Sequence, residues 1–178
     1  MTRLFLRPIE KQDYPGIHRG CQFEEIREMT GTRQTFTLED IESAYTHFLK
    51  DESRRDFAIC LLETNEMIGD AAIVDIDPLN RSAGFRIALY GPEHFHQGYG
   101  TEAVRLIQAF AFESLELNRL ELEVFSHNPR AIRSYEKAGF QYEGRRRQAL
   151  YFNGTYSDEI MMGILREDYE QLKKESLL

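Results

Sequence analysis

The stretch that decides the fold is His94-Phe95-His96-Gln97-Gly98-Tyr99-Gly100-Thr101-Glu102. The apolar run Phe85–Tyr90 precedes it and predicts a strand, which Gly91-Pro92 ends because proline fixes φ and lacks a backbone N–H. After the stretch, apolar residues recur at spacings of three and four, which predicts an amphipathic helix from about Tyr99 to Ser114. Two glycines therefore lie between a strand and the first turn of a helix.

Gly98 and Gly100 make this helix start a candidate phosphate site. The first backbone N–H groups of a helix are unpaired, the helix dipole is positive there, and glycine lets a ligand approach the backbone closely. Glycines are also common in strand-to-helix turns for purely conformational reasons. The full G-x-G-x-x-G signature is absent, because Ala103 stands where its third glycine would be. The stretch alone leaves both interpretations open.

A second motif follows about one helix length later, in Asn128–Phe140. Asn128 can cap a helix, Pro129 fits its first position, and Gly139 can end it. Together with Gln97–Ala103, this segment resembles the GNAT superfamily of acetyl-CoA-dependent N-acetyltransferases. The superfamily signature is Gln/Arg-x-x-Gly-x-Gly/Ala, followed by an Asn and a Tyr on or near the next helix.

Three further segments narrow the resemblance, which spans essentially the whole chain. Leu4–Pro8, Tyr142-Glu143-Gly144 and Tyr151–Asp158 are similar to the branch that includes the RimJ/RimL ribosomal-protein N-terminal acetyltransferases and the spermidine acetyltransferases. The resemblance implies one domain over residues 1–178 with the α+β, GNAT-type acyl-CoA N-acyltransferase fold. We expect a central twisted, mostly antiparallel sheet of about seven strands with a parallel splayed pair, flanked by about four helices.

The residue patterns agree with a mixed sheet. Three apolar runs, Phe57–Glu63, Met67–Ile76 and Arg81–Tyr90, are separated by short turn-forming segments and predict an antiparallel meander. The alternating segment Arg119–Phe125 follows a helix, which predicts a crossover connection. Asn153-Gly154 is a strong hairpin signal between the last two strands.

The N-terminal third predicts two helices after a first strand. Asp13 is a plausible cap of the first helix, and Thr37 is a plausible cap of the second. Residues 21–36 show little periodicity and are expected to form a loop.

The resemblance implies how the cofactor is held. Backbone groups at Leu89 and Tyr90 would hold the pantetheine arm and the acetyl carbonyl of acetyl-CoA. Asn128 would contact CoA. The alternative is that Asn128 only caps the helix. Amides of the loop and the first helical turn would bind the pyrophosphate, and these belong to Gln97, Gly98, Tyr99, Gly100, Thr101 and Glu102.

Tyr135 resembles the superfamily tyrosine that protonates the departing CoA thiolate. A phenol with a pKa of about 10 is protonated at neutral pH and can donate to a thiolate with a pKa of about 8.5. The alternative is a tyrosine that only packs on a helix face. The resemblance thus implies an acetyltransferase that moves the acetyl group directly to a primary amine.

Two positions depart from the family pattern. Phe95 stands where Gln or Arg is usual, and Ser82-Ala83-Gly84-Phe85 has glycine where spermidine acetyltransferases have a glutamate base. The general base is therefore open. Isolated titratable residues are candidates, and a water chain is the alternative; the candidates are Glu24, Glu25, Asp75, His94 and His96.

Composition excludes some functions. The chain has 178 residues and a net charge of −8, which disfavours a nucleic-acid partner. Its one basic cluster is Arg145-Arg146-Arg147. This cluster is either a solvated strand edge or a site that helps to bind CoA phosphates or an acidic acceptor. No apolar run is long enough to span a membrane, and no Cys or His spacing suggests a metal site. We expect a cytoplasmic protein with no metal and no membrane partner.

The acceptor is the least predictable part. By resemblance, its pocket is formed by residues 21–36 and 148–158, and within the first of these Met29–Gln34 carries no acidic run. A polyamine, being a polycation, would favour several carboxylates, so it is the less favoured acceptor. A peptide N-terminus and a small-molecule amine stay open, as does a homodimer. The alternative function is a non-catalytic acyl-CoA-binding or sensing module.

Overall fold

The computed structural model describes residues 2–175 and contains one seven-stranded sheet in the order β1-β2-β3-β4-β5-β7-β6. All neighbours are antiparallel except β4 and β5, which are parallel. This confirms the predicted mixed sheet. The strands are β1 Leu4–Pro8, β2 Arg55–Leu61, β3 Met67–Asp77, β4 Ser82–Leu89, β5 Arg119–Phe125, β6 Gln141–Phe152 and β7 Thr155–Leu165.

Six α-helices flank this sheet within the described range, two more than expected. They are α1 Tyr14–Gln22, α2 Glu24–Thr30, α3 Leu38–Phe48, α4 Tyr99–Ala109, α5 Pro129–Lys137 and α6 Arg166–Glu175. A π-helical turn, Phe110–Ser114, continues α4. The apolar stripe predicted from Tyr99 to Ser114 is therefore helical throughout, but its last turn is wider than an α-helix.

The helices divide between the two faces of the sheet. The larger buried cluster joins α4 and α5 to one face, as in the packing of Ala103, Ile107 and Tyr135 around Ile59 and Phe85. The smaller cluster joins α1 and α3 to the other face, with Tyr14, Ile17, Ile41 and Tyr45 over Ala58 and Cys60. Each face thus has its own apolar core.

The expectation of a loop over residues 21–36 is wrong for its first half, because α2 occupies Glu24–Thr30. None of its residues is buried, so the helix leaves no apolar periodicity in the sequence. Two terminal signals were present: Glu24 and Glu25 favour the first turn, and Gly31 ends the helix at a φ of 67°.

The two predicted caps have different outcomes. Thr37 caps α3 as expected, because its hydroxyl accepts from the Asp40 amide at 3.1 Å and the Asp40 carboxylate accepts from the Thr37 amide. Asp13 makes no side-chain cap on α1. Its carboxylate instead accepts from both terminal nitrogens of Arg7, at 2.6 and 2.7 Å, because β1 places that guanidinium beside it.

The parallel pair separates soon after it forms. Only Ser82, Ala83 and Gly84 of β4 face partners on β5, and these partners are Arg119–Glu121. Beyond them, β4 stays paired with β3 and β5 stays paired with β7, so a gap opens between β4 and β5. The predicted splayed pair is confirmed, and the gap leads to the start of α4.

Candidate active site

The gap exposes alternate backbone groups of β4. Along an antiparallel pair, the N–H and C=O of successive residues point alternately toward the partner and away from it. The Tyr90 amide donates to the Ile68 carbonyl at 2.7 Å, so it points toward β3. The amides of Leu89 and Ile87 therefore point away from β3, toward the gap. The Tyr90 amide is therefore not free to bind the pantetheine arm or the acetyl carbonyl, contrary to the expectation. The Leu89 amide points toward the gap, as expected.

The start of α4 presents a row of free amides. Gly98 has a φ of 81°, and its carbonyl accepts the first helical bond, from the Glu102 amide at 3.1 Å. The amides of Gly98, Tyr99, Gly100 and Thr101 donate to no other described residue. A Cβ at Gly100 would lie 3.5 Å from the Ser134 hydroxyl of α5, which is an ordinary van der Waals contact. The turn therefore requires glycine at Gly98, whose φ is positive, whereas the absence of a side chain at Gly100 leaves the backbone accessible from the cavity.

Glu102 has another role than the one predicted. Its carboxylate accepts from the amides of Arg3 and Leu4, at 2.5 and 3.0 Å, and from the Arg3 guanidinium at 3.0 Å. Burial opposes its charged form, but these hydrogen bonds outweigh burial and hold the pKa of Glu102 below its usual range. The Glu102 amide is also hydrogen-bonded inside α4. Glu102 therefore links β1 to the helix, and neither its amide nor its carboxylate is free to bind the cofactor.

Gln97 is also partly committed to the protein. Its carbonyl accepts from Arg3 at 3.0 Å, and its carboxamide donates to the Glu93 carbonyl. The backbone amide of Gln97 is the group that stays available for the role expected of this residue.

A cavity of about 290 Å³, here called the helix-start cavity, lies over these amides. It is bounded by Gly98–Thr101, by Ile87–Leu89 of β4 and by α5. Three cations of α5 line it, Arg130, Arg133 and Lys137, and of these Arg133 and Lys137 make no ion pair within residues 2–175. Free amides beside free cations form a site suited to phosphate groups.

The sequence prediction missed the cations of α5, although Arg130, Arg133 and Lys137 have the spacing of one helix face. The structure also explains the departure at Phe95. Its ring lies 3.7 Å from the Arg130 guanidinium carbon, and Arg130 in turn pairs with Glu25 of α2 at 2.9 Å. The aromatic residue thus supports a cation at the cavity.

The basic cluster of β6 lies elsewhere. Arg145 pairs with Asp158, and Arg146 pairs with Glu123 and Glu159. None of the residues Arg145–Arg147 lines the helix-start cavity or its neighbour. The structure therefore supports a solvated strand edge and not a phosphate-binding role.

A second cavity of about 1140 Å³, here called the large cavity, lies on the opposite face of the sheet, under α1, α2 and α3. It shares seven lining residues with the helix-start cavity. These are Ile26, Met29, Thr30, Ile87, Ala88, Asn128 and Tyr135. Since Ile87 and Ala88 border the gap in the sheet, the two cavities meet at that gap.

Asn128 and Tyr135 stand where the cavities meet. Asn128 caps α5, accepting from the Ala131 amide at 3.2 Å. The Tyr135 ring packs edge-on against Phe85, with centroids 5.8 Å apart, and burial raises the pKa of its hydroxyl to about 12. That hydroxyl bonds to no other described residue. Tyr135 is therefore a fixed, protonated donor at neutral pH.

None of the predicted base candidates reaches the large cavity. His94 and His96 line the helix-start cavity, and Glu24, Glu25 and Asp75 line neither. Gly84 lies at the last paired position of β4 and β5. The carboxylates that do line the large cavity are Asp40, Asp70 and Glu123. The base stays unassigned.

Comparison with known proteins agrees with this geometry. A parallel pair that splays beside a glycine-lined helix start is the arrangement expected of an acyl-CoA N-acyltransferase. Residues 3–141 match the model of the acetyltransferase (GNAT) domain family. The chain belongs to the GNAT family, and it is an acetyl-CoA-dependent N-acetyltransferase.

Its relatives cover nearly its full length. The chain is 29% identical to the spermidine N(1)-acetyltransferase of Vibrio cholerae serotype O1, over 94% of this chain and 96% of that protein. It is 31% identical to the uncharacterized N-acetyltransferase YoaA of Bacillus subtilis, over 92% and 94%. The crystal structure of the Vibrio cholerae spermidine N-acetyltransferase in complex with CoA and spermine superimposes with a TM-score of 0.89, at 28% identity, over 96% of this chain and 99% of that one.

The described residues also bear on metal binding and on membrane spanning. Within residues 2–175, no three His, Cys, Asp or Glu side chains are placed to hold a metal ion. No described helix is both long and apolar enough to cross a membrane.

Proposed function

We propose that acetyl-CoA occupies the helix-start cavity and that a primary amine enters from the large cavity, so that the acetyl group passes directly between them at the gap. The observation that carries this proposal is the position of Tyr135, which lines both cavities. Described residues at the gap line both cavities, so a thioester on one side of the sheet and an amine on the other would share a wall there.

On the donor side, the proposed pyrophosphate ligands are the amides of Gln97, Gly98, Tyr99, Gly100 and Thr101. Arg133 and Lys137 add positive charge for the CoA phosphates. The Leu89 amide, which points toward the gap, is the proposed donor to the acetyl carbonyl, where negative charge develops during transfer. Asn128 adds a side-chain contact beside its cap.

Tyr135 is the proposed general acid. The departing CoA thiolate has an ordinary thiol pKa of about 8.5, below that of the Tyr135 phenol, so proton transfer to it is uphill and requires the protonated phenol within hydrogen-bond reach. Burial keeps the pKa of Tyr135 near 12, so the acid stays protonated across the pH range in which amines lose their proton. The falling limb of activity at alkaline pH is then expected only near pH 12.

The acceptor is proposed to be a primary amine on a small molecule. Relatives named for spermidine support an amine of this size, and a cavity of about 1140 Å³ is large enough to enclose one. The cytoplasmic location and the homodimer stay predictions, as does a peptide N-terminus as an alternative acceptor.

The test combines thiol release with CoA titration. With acetyl-CoA and a panel of primary amines, the protein is expected to release CoA thiol, and Tyr135→Phe is expected to lower kcat by about 100-fold while the Kd for CoA stays within about twofold. Tyr142→Phe is the control, because Tyr142 is exposed on β6 and lines neither cavity.

Two results would contradict the proposal. CoA binding without thiol release for any amine would identify a non-catalytic acyl-CoA-binding module. Full turnover in Tyr135→Phe would remove the acid assignment and leave the activity itself in place.

A further inference from the structure

Two arginines in the large cavity lack acidic partners. Arg27 of α2 and Arg33 of the following loop both line it, and neither makes an ion pair within the described residues. Arg27 donates one terminal nitrogen to the Arg33 carbonyl at 3.2 Å, and Arg33 donates one to the Tyr151 carbonyl. The Arg27 Nε atom is buried and has no hydrogen-bond partner.

The buried Arg27 Nε points to a missing acceptor group, and the exposed Arg33 lies beside it. A guanidinium carries five N–H donors in a fixed fork that fits a carboxylate in two parallel hydrogen bonds. Native structures rarely leave a buried polar group unsatisfied, so one that is left needs an explanation, such as a catalytic role or a bound water or ion. Within the described residues, the side chains of Arg27 and Arg33 donate one hydrogen bond each, so most of their donors have no protein acceptor.

The carboxylates of the same cavity are already engaged. Asp40 accepts from the Thr37 amide at 2.8 Å. Asp70 accepts from Arg86 at 3.2 Å and from the Tyr90 hydroxyl. Glu123 accepts from Arg146 at 2.5 Å. Among the described residues that line the cavity, Arg27 and Arg33 are two cations without an ion pair, and Asp40 is one anion without an ion pair.

We infer that the acceptor is a primary amine that also carries a carboxylate, and that Arg27 and Arg33 bind this carboxylate. The inference rests on the proposed function, because it assigns the acceptor side of the same site. Tyr135 lines the large cavity together with both arginines, so one molecule can place its carboxylate at Arg27 and Arg33 and its amine at the gap. A polyamine would bring like charge to the same wall.

The experiment compares amines that differ only in the carboxylate. The pairs are 4-aminobutyrate with butylamine and glycylglycine with glycylglycinamide, and spermidine is added as a polycation. Thiol release is measured for each with the full chain and acetyl-CoA. The kcat/KM of each carboxylate is expected to exceed that of its neutral partner by about tenfold or more. The two pairs also separate a free amino acid from a peptide as the preferred source.

Substitutions then locate the carboxylate site. Arg27→Gln and Arg33→Gln are each expected to lower kcat/KM for the carboxylate by about tenfold and to leave the neutral partner within about twofold. Arg19→Gln is the matched control, because Arg19 is exposed on α1, makes no ion pair with another residue of the range 2–175 and lines neither cavity. A melting temperature for each variant excludes loss of folding as the cause.

The outcomes separate this inference from the proposed function. Turnover that favours spermidine or the neutral amines, or an equal effect of Arg27→Gln on both members of a pair, overturns the carboxylate site and leaves the acetyltransferase in place. A direct reading without turnover comes from calorimetry with the acetylated products in the presence of CoA. Tighter binding of 4-acetamidobutyrate than of N-butylacetamide supports the inference, and equal binding overturns it.

Discussion

At Gly98, the backbone conformation and the proposed phosphate ligand both favour a residue without a side chain. Its φ of 81° lies in the left-handed region, and its amide begins the row of free donors at the start of α4. A Cβ at this position would lie 3.4 Å from Arg3, so there is room for one within the protein. The cost of a side chain here therefore comes from backbone strain and from obstruction of the proposed phosphate.

Gly98→Ala is expected to lower the free energy of unfolding by about 1–2 kcal/mol and to weaken CoA binding by about tenfold, equivalent to about 1.4 kcal/mol. Gly154→Ala is the matched control. Gly154 has a φ of 78° with nothing near its Cβ position, and it lies in the hairpin turn away from both cavities. Urea unfolding and CoA calorimetry give both quantities. Equal CoA affinity in the two variants would place the phosphate elsewhere.

Glu102 carries a testable pH dependence. Its pKa lies below the usual 4.5 in the folded protein, so its contribution to stability is present above that value and is lost as the pH falls through the folded pKa. Glu102→Gln is expected to cost about 1–3 kcal/mol at pH 7. The difference from wild type should narrow below about pH 4.5.

The control for this substitution is Glu63→Gln, since Glu63 is exposed and has no hydrogen bond among the described residues. Urea unfolding of the three proteins from pH 7 to pH 3 measures the effect. A constant difference between Glu102→Gln and wild type at every pH would contradict the role assigned to its carboxylate.

Single residues show what the sequence reveals and what it does not. Thr37 and Asn128 were predictable as caps, because a cap acts on amides three residues away. Glu102 was not, because its partner Arg3 is 99 residues distant in the chain. That the Tyr90 amide bonds to Ile68 was not predictable for a related reason. Which amides of β4 point toward the gap depends on the register of β4 with β3.

At the scale of elements, β4 and α4 form the proposed donor side together. The end of β4 is paired on one edge only, and the start of α4 lies against the same cavity. Sequence periodicity predicted both elements, because each buries a continuous apolar face. It did not predict α2, whose residues are not buried and which instead places Ile26, Met29 and Thr30 on the walls of both cavities.

Hydrogen exchange tests this arrangement of elements. CoA is expected to slow exchange of the amides of Gly98–Thr101 and Leu89 by about tenfold or more, since these amides are free in the described structure. The Tyr90 amide, already bonded to Ile68, is expected to change little. Amide exchange followed by NMR, with and without CoA, gives each value. Protection at Tyr90 without protection at Leu89 would contradict the strand register described here.

At the scale of the whole molecule, the sheet separates two cavities and its splayed pair joins them. The helices of one face, α4 and α5, border the helix-start cavity, and those of the other face, α1 to α3, border the large cavity. The donor half could be predicted from two motifs because its groups come from contiguous segments. The large cavity could not, because its charged residues come from several separate elements and their pairing depends on the folded chain.

This architecture predicts direct transfer, in which both substrates are bound before the acetyl group moves. The most direct test is the initial rate of thiol release against acetyl-CoA concentration at several fixed concentrations of the preferred amine. Intersecting lines in the double-reciprocal plot are expected, since each cavity holds one substrate and the gap joins them. Parallel lines would indicate a covalent acetyl-enzyme and would contradict the account.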